Sequence, residues 1–387
     1  MADFTDEVRQ FMGERGMSLR GLARAAGYDP SHLSKILNGH KPASPYVAGR
    51  LDDALQAGGK IRAAVSSAPG AAVKRKEGAT GRLPRDAVTL ADVEAVAVTT
   101  KAFRDLDNRF GGAHTHRLVV GYLESSVALM VRTGAYTEET GRQLFGAAAQ
   151  LAHLAAWTAY DMDDHRRPEL YFSKALELAS AAGDHAFVAE ILAARSHRAI
   201  HLGIPERAIE LARASRHSAA RTGLPVLLAE AHELEANGHA LLGDGQACAA
   251  SLHECERVFG RSCSAAVPSW LGYFDRAYLA ARFAHTLRDL GDWGEAERYG
   301  LEASAMIGGL TRARAFNTAV LATAYVETDL DKALGAGREA LAMAAGLQSG
   351  RVVRYLADLR RRLRKRYGSD PKIRSFDGQV SETLGSR

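Results

Sequence analysis

Residues 18–42 read Ser18-Leu19-Arg20-Gly21-Leu22-Ala23-Arg24-Ala25-Ala26-Gly27-Tyr28-Asp29-Pro30-Ser31-His32-Leu33-Ser34-Lys35-Ile36-Leu37-Asn38-Gly39-His40-Lys41-Pro42. Ser18 is a good helix N-cap, Leu19 to Ala26 form a short helix, and Gly27 stops it. Asp29 caps a second helix, and Pro30 takes its first position, where the missing N–H costs nothing. That helix runs to Leu37 and ends at Asn38-Gly39. Leu22, Ala23, Leu33 and Ile36 are the inward residues, with the small Ala23 where the helices cross. The other face of the second helix carries Ser31, His32, Ser34 and Lys35, which are short hydrogen-bonding groups and one cation.

Working outward, Phe4, Val8, Phe11 and Met12 place an apolar face on a helix over 4–14, and another helix follows Pro45 and reaches Leu55. Residues 1–57 are therefore expected to fold as one small helical unit. Two short helices joined by a tight turn make a helix-turn-helix pattern. Its second helix has the side chains needed to read base edges in a major groove.

The stretch 18–42 closely resembles the Cro/CI-type helix-turn-helix, also called the xenobiotic-response-element family. Shared features are the Leu22-Ala23 pair, Gly27 before the turn, Ser31 and Ser34, Ile36, Gly39, the basic pair His40-Lys41 and Pro42. The resemblance covers about one-seventh of the chain. It implies base contacts from Ser31 and Lys35, with His32 and Ser34 beside them. It implies a grip on phosphate from Asn38, His40 and Lys41, and places Ser18 and Arg20 at the helix start that abuts the DNA backbone. Leu19 stands where the family commonly has Gln, and Arg20 is the candidate replacement. A dimer on a two-fold symmetric double-stranded DNA operator is the geometry this implies.

Residues 58–86, rich in Gly, Pro, Ala, Ser and Lys, read as a flexible basic linker. Beyond it, long stretches of Ala, Leu, Glu and Arg are punctuated by Gly, Asp and Pro, an all-α pattern that calls for a repeat test. Asp163, Gly203, Gly243, Gly291 and Thr328 serve as anchors at inter-helix turns, with spacings of 40, 40, 48 and 37 residues. Five residues after each stand Pro168, Ala208, Cys248, Ala296 and Ala333. Twelve after stand Ala175, Ser215, Cys255, Ala303 and Ala340. Seven before stand Ala156, Ser196, Ala236, Ala284 and Leu321. Small side chains at fixed offsets let antiparallel helices approach closely and stack. Residues 90–133 add two helices before the first pair. Residues 350–366 form a terminal cap with a stripe of Val352, Val353, Leu356, Leu359 and Leu363 among many arginines. Residues 87–370 are thus expected to be one helical-repeat domain and 371–387 a loose tail.

The offsets and the Gly-Asp turns at 243–244 and 291–292 resemble the tetratricopeptide repeat, although the repeats here run near 40 residues. The resemblance implies a superhelix whose concave face binds ligands. Carried over, its lining residues include His153, Trp157, Tyr160, Glu190, His197, His201, Glu230, Glu233, Asn237, Tyr278, His285 and Arg288. A peptide or small-molecule effector entering between residues 150 and 290 is the implied ligand. The whole chain is similar to Gram-positive regulators that join a Cro/CI-type headpiece to a tetratricopeptide-like receptor.

Composition agrees with this class. The chain has 387 residues, 47% hydrophobic and 25% charged, with no apolar run long enough to span a bilayer. Asp3, Asp6 and Glu7 leave no apolar leader at the start. Three cysteines make no disulfide framework and point to a reducing cytoplasm. Cys248 and Cys255 fall on small packing positions. Neither His114-Thr115-His116 nor Asp161 to His165, both expected at turns, has a zinc-like partner pair, so no metal or cofactor is expected. No P-loop, dinucleotide fingerprint or nucleophile elbow is present, so the expectation is not an enzyme. Over residues 1–59 seven Lys/Arg balance seven Asp/Glu, which leaves open an alternative: a repeat-based protein adaptor with a vestigial helix-turn-helix.

Overall fold

Apolar spacing accounts for the first four helices, α1 (Phe4–Glu14), α2 (Leu19–Ala26), α3 (Pro30–Leu37) and α4 (Pro45–Leu55). The computed structural model describes residues 4–26, 28, 30–39, 43, 45–61, 64, 87–261, 267–304, 311–368 and 370–384. Among these there are helices and turns but no strand. The chain divides into two compact units, residues 1–85 and 86–387.

In the first unit, Ser18 caps α2: its Oγ accepts the Gly21 N–H at 3.1 Å. Leu22 and Ala23 of α2, Leu33 and Ile36 of α3, and Leu51 and Leu55 of α4 close one core with Val8 and Phe11. Cations finish the helices. Arg9 donates to the Leu37 carbonyl at 3.2 Å and Arg50 to the Ala26 carbonyl at 3.0 Å, where helix C-termini leave carbonyls unpaired.

The unit runs past residue 57, the boundary expected from the sequence. The buried Asp52 carboxylate accepts the backbone N–H groups of Gly59 at 2.8 Å and Ile61 at 3.0 Å, and Ile61 and Ala64 enter the same core. The rest of the expected linker lies outside the described residues, apart from its first few positions.

The second unit opens with α5 (Leu90–Phe110), which starts with a capping box between Thr89 and Asp92. Gly111, at φ 93°, turns the chain into α6 (Gly112–Tyr122), which runs through a π-helical turn (Leu123–Val127) into α7 (Ala128–Thr133). His114 and His116 therefore lie within α6 rather than in a turn. Five antiparallel hairpins follow: α8 (Glu138–Asp161) with α9 (Arg167–Ala182), α10 (His185–His201) with α11 (Pro205–Ala219), α12 (Pro225–Leu241) with α13 (Gly245–Phe259), α14 (Arg276–Leu290) with α15 (Trp293–Ala303), and α16 (Thr311–Tyr325) with α17 (Leu330–Ala344). Every anchor residue sits in the turn of its hairpin. Gly243 and Gly291 are at φ 73° and 88°, a region open to Gly, and Asp244 and Asp292 cap the helices that follow.

The small residues at the three offsets are buried between helices. Two of them are polar and are satisfied locally: Ser196 Oγ donates to the Ala208 carbonyl and Ser215 Oγ to the Ala189 carbonyl, each at 2.8 Å. Burial pushes the Cys248 thiol up to about 12 and raises that of Cys255, as suits packing cysteines.

The repeat array closes on itself. The Gln348 N–H donates to the Phe110 carbonyl at 2.9 Å, and its own carbonyl accepts from Ala113 at 3.3 Å. Asp161, at the end of α8, accepts from the Gly112 N–H and from Ser349 Oγ, each at 2.8 Å, and pairs with Arg312 of α16 at 3.2 Å. Gly112 and Gly350 have no room for a side chain: a Cβ would lie 2.4 Å from the Thr158 carbonyl oxygen and 2.8 Å from that of Met162. α18 (Gly350–Tyr367) follows, with Val352, Leu356, Leu359 and Leu363 buried.

The expected loose tail is instead a helix, α19 (Pro371–Leu384). Ile373, Phe376 and Val380 lie on one face and pack into the last core, and Asp377 binds Arg360 and Arg364. That pairing, with Asp358 binding Arg361 and Arg362, occupies much of the basic run of α18.

Candidate functional site

Two places concentrate polar side chains. On α3, the period of the helix turns Leu33, Ile36 and Leu37 into the core and leaves Ser31, Lys35 and Asn38 exposed. Ser34 is half-buried, and its Oγ accepts from Asn38 Nδ2 at 3.3 Å. Asn38 Oδ1 in turn accepts from Arg9 at 3.3 Å. Ser18 and Arg20 are exposed at the start of α2, where free backbone N–H groups favour an anion. The side chain of His32, and His40 and Lys41 altogether, lie outside the described residues. Arg9 was not among the sequence candidates; nothing in its local pattern shows that α1 brings it to the end of α3.

Residues 3–65 match the family model described as a helix-turn-helix domain. Against the curated proteins, no match is found. The helix-turn-helix domain thus includes Ile61 and Ala64, in keeping with the Asp52 contacts that hold that segment.

The second place is the interior of the repeat body. The twelve residues expected to line the groove are buried or half-buried, and most are engaged by neighbouring side chains. The half-buried Trp157 indole donates to His153 Nε2 at 2.9 Å, and Tyr160 Oη lies 3.0 Å from His197 Nδ1. Tyr273 Oη bridges Glu190 at 3.0 Å and Glu230 at 3.1 Å. Glu233 pairs with Arg282 at 3.0 Å and accepts from Thr286 at 2.9 Å. Asn237 donates to Asp289 at 3.0 Å, and Arg288 holds the same carboxylate. His201 lies 3.2 Å from Asp163, and His285 lies 3.3 Å from Tyr355 Oη of α18.

Electrostatics follow from burial. Burial raises the carboxyls of Glu190 and Glu230, in the latter reinforced by the neighbouring Glu190 charge. Burial, then nearby arginines, holds His197 and His285 well below the usual imidazole range and His201 down to about 4. These histidines are neutral at pH 7.

What space remains is a cavity of about 200 Å³. Trp157, His197, Tyr278 and His285, all sequence candidates, line it. Arg282, Arg312, Phe316 and Arg351 line it too, and sequence reasoning missed them. Phe316 and Arg312 come from beyond residue 290, and Arg351 from a helix read as a solvated cap. A wider surface depression of about 550 Å³ lies beside the turns at Gly183 and Thr222 and is lined mainly by turn residues. Among the described residues, no group of three or more His, Cys, Asp or Glu could hold a metal ion, and no helix is long and apolar enough to cross a membrane.

Proposed function

We propose that this protein is a sequence-specific DNA-binding transcriptional regulator. In this reading α3 lies in the major groove and reads base edges through Ser31 and Lys35, with His32 and Ser34 beside them. Arg20, Ser18, Asn38, His40 and Lys41 hold phosphate, and Arg9 fixes the Asn38 side chain. The observation that carries it is the pairing of the helix-turn-helix match with an α3 whose apolar residues are all buried and whose Ser31 and Lys35 stand exposed. Base-edge readout requires an exposed row of that chemistry.

The tetratricopeptide-like body acts as an effector sensor and carries the contacts of a homodimer. Its cavity lies below the usual 300–1,000 Å³ of drug-sized sites, which favours a small molecule over a peptide.

The test is fluorescence anisotropy with duplex from upstream of the protein's own gene and a scrambled duplex of the same length, titrated with salt. Preference for the upstream duplex, lost in Ser31→Ala and Lys35→Ala, supports the reading. The balanced charge of residues 1–59 favours the adaptor alternative, under which neither duplex binds at low salt.

A further inference from the structure

The cavity inside the repeat body has a lining that is unusual in its charge. Three arginines face it and no carboxylate does. Two of the three are neutralised from behind. Arg312 is held by Asp107 and Asp161, and Arg282 by Glu233. Arg351 has no such partner: among the described residues, no Asp or Glu comes within ion-pair distance of it, although it is only 8% exposed. Its guanidinium rests on the rings of Tyr160 at 4.3 Å and Phe316 at 4.6 Å. Ring faces attract a cation but do not accept its N–H groups along their own directions, and the buried Arg351 Nε has no hydrogen-bond partner. Arg282 Nη2 is likewise buried and unpartnered.

Two arginines of the lining thus each carry an unmet buried donor, and one of them, Arg351, also lacks a carboxylate partner among the described residues. A buried, unpaired charge is among the costliest features a fold can keep, and buried donors are nearly always satisfied. The remaining walls combine the rings of Trp157, Tyr278 and Phe316 and the small Ala281 and Ala313 with the polar, uncharged Asn108 and Asn317 and two histidines. At about 30 Å³ per water, the volume equals about seven waters, the size of one ring with a short substituent.

We infer that the cavity binds a small aromatic monocarboxylate, its carboxylate pairing with the Arg351 guanidinium beside Arg282 and its ring lying among Trp157, Tyr278 and Phe316. A monocarboxylate supplies a partner to Arg351, the one lining arginine that has no carboxylate beside it among the described residues. The planar fork of a guanidinium matches a carboxylate in shape. The neighbouring His197 and His285, kept neutral, add no second charge to match a dianion. Arg351 lies two residues after Ser349, whose hydroxyl ties the closing segment to Asp161. A ligand on Arg351 would thus strengthen the seam where the end of the repeat array meets its start.

This inference rests on the reading of the body as an effector sensor, but its test does not depend on DNA. The full chain is titrated with benzoate, phenyl phosphate, benzylamine and benzyl alcohol, by calorimetry and by Trp fluorescence. Benzoate is expected to bind at one site per chain and to raise the melting temperature, and the other three to bind at least tenfold more weakly. Arg351→Met removes the lone charge while keeping the bulk. It is expected to fold with an unchanged or higher melting temperature and to lose benzoate affinity at least tenfold. No binding by benzoate, equal binding by the Arg351→Met chain, or tighter binding of phenyl phosphate or benzylamine overturns the inference. If benzoate binds as expected but leaves duplex affinity unchanged, the site stands and the sensor reading alone falls.

Discussion

The α3 face and the interior of the repeat body are built from similar side chains, yet they treat them in opposite ways. On α3, Ser31, Lys35 and Asn38 point to solvent while the apolar residues fill the core. In the body, the polar residues of the inward helices find one another, as in Tyr273 with Glu190 and Glu230 or Arg282 with Glu233. The difference shows where binding capacity resides. An exposed face keeps its groups within reach of a partner. A self-paired interior keeps only exceptions, among them the unmet groups of Arg351 and Arg282. Polar residues at lining positions are thus weak indicators of a ligand until their mutual pairing is known.

The largest expected effect lies at the seam of the body. Asp161→Ala removes the acceptor for Gly112 and Ser349 and one of the two carboxylates on Arg312. The loss should be about 3–5 kcal/mol in the body's denaturant unfolding, as for other broken buried pairs. If stability is unchanged, the closure is not what holds the array together. In the other unit, Leu33→Ala opens a cavity beneath α3 and should cost about 2–5 kcal/mol and abolish duplex binding. An unaltered duplex affinity would separate binding from the helix-turn-helix fold.

Acid sharpens the contrast further. His201 titrates near 6.5 when unfolded and is pushed down to about 4 in the fold, by burial first and then by Arg351. Its contribution is complete above pH 6.5 and is lost as pH falls toward 4, roughly 3 kcal/mol in all. His197 and His285 act in the same direction. Glu190 and Glu230, whose carboxyls are raised, act in the opposite one: their contribution is complete at low pH and fades as pH rises. The two sets therefore oppose each other over the same acid-to-neutral range, and the Glu190→Gln, Glu230→Gln chain should show a steeper acid fall in melting temperature than wild type. A flat acid limb in that chain would contradict the buried, neutral state of these histidines.

Much of this was legible in the residues. Apolar spacing, caps and breakers placed α1 to α3 at their observed bounds and α4 within one residue of its own, and the small residues five, twelve and seven positions from each anchor located all five hairpin turns. These features are local or strictly periodic. What escaped depends on contacts far along the chain. The tail helix carries its stripe, Ile373, Phe376 and Val380, but is short and interrupted by Gly378, so its packing partner decided it. The hold of Asp52 on Gly59 and Ile61 gives no pattern in composition. Arg351 stands among many exposed arginines, and only the return of residues 348–350 to α6 and α8 turns it inward. Among the α3 candidates the exposed row was legible, whereas the link from Arg9 to Asn38 was not.

The smallest free-energy change bears on the central claim. Lys35→Ala should weaken binding to the upstream duplex by about 1–3 kcal/mol, as for one lost base contact, while leaving the melting temperature of the exposed-face variant unchanged. The decisive measurement is the ratio of upstream to scrambled duplex affinity for wild type and for Ser31→Ala, Lys35→Ala chains at matched salt. The account predicts a large ratio for wild type that collapses toward one in the double variant. A wild-type ratio of one, or a ratio untouched by removing both side chains, would contradict it.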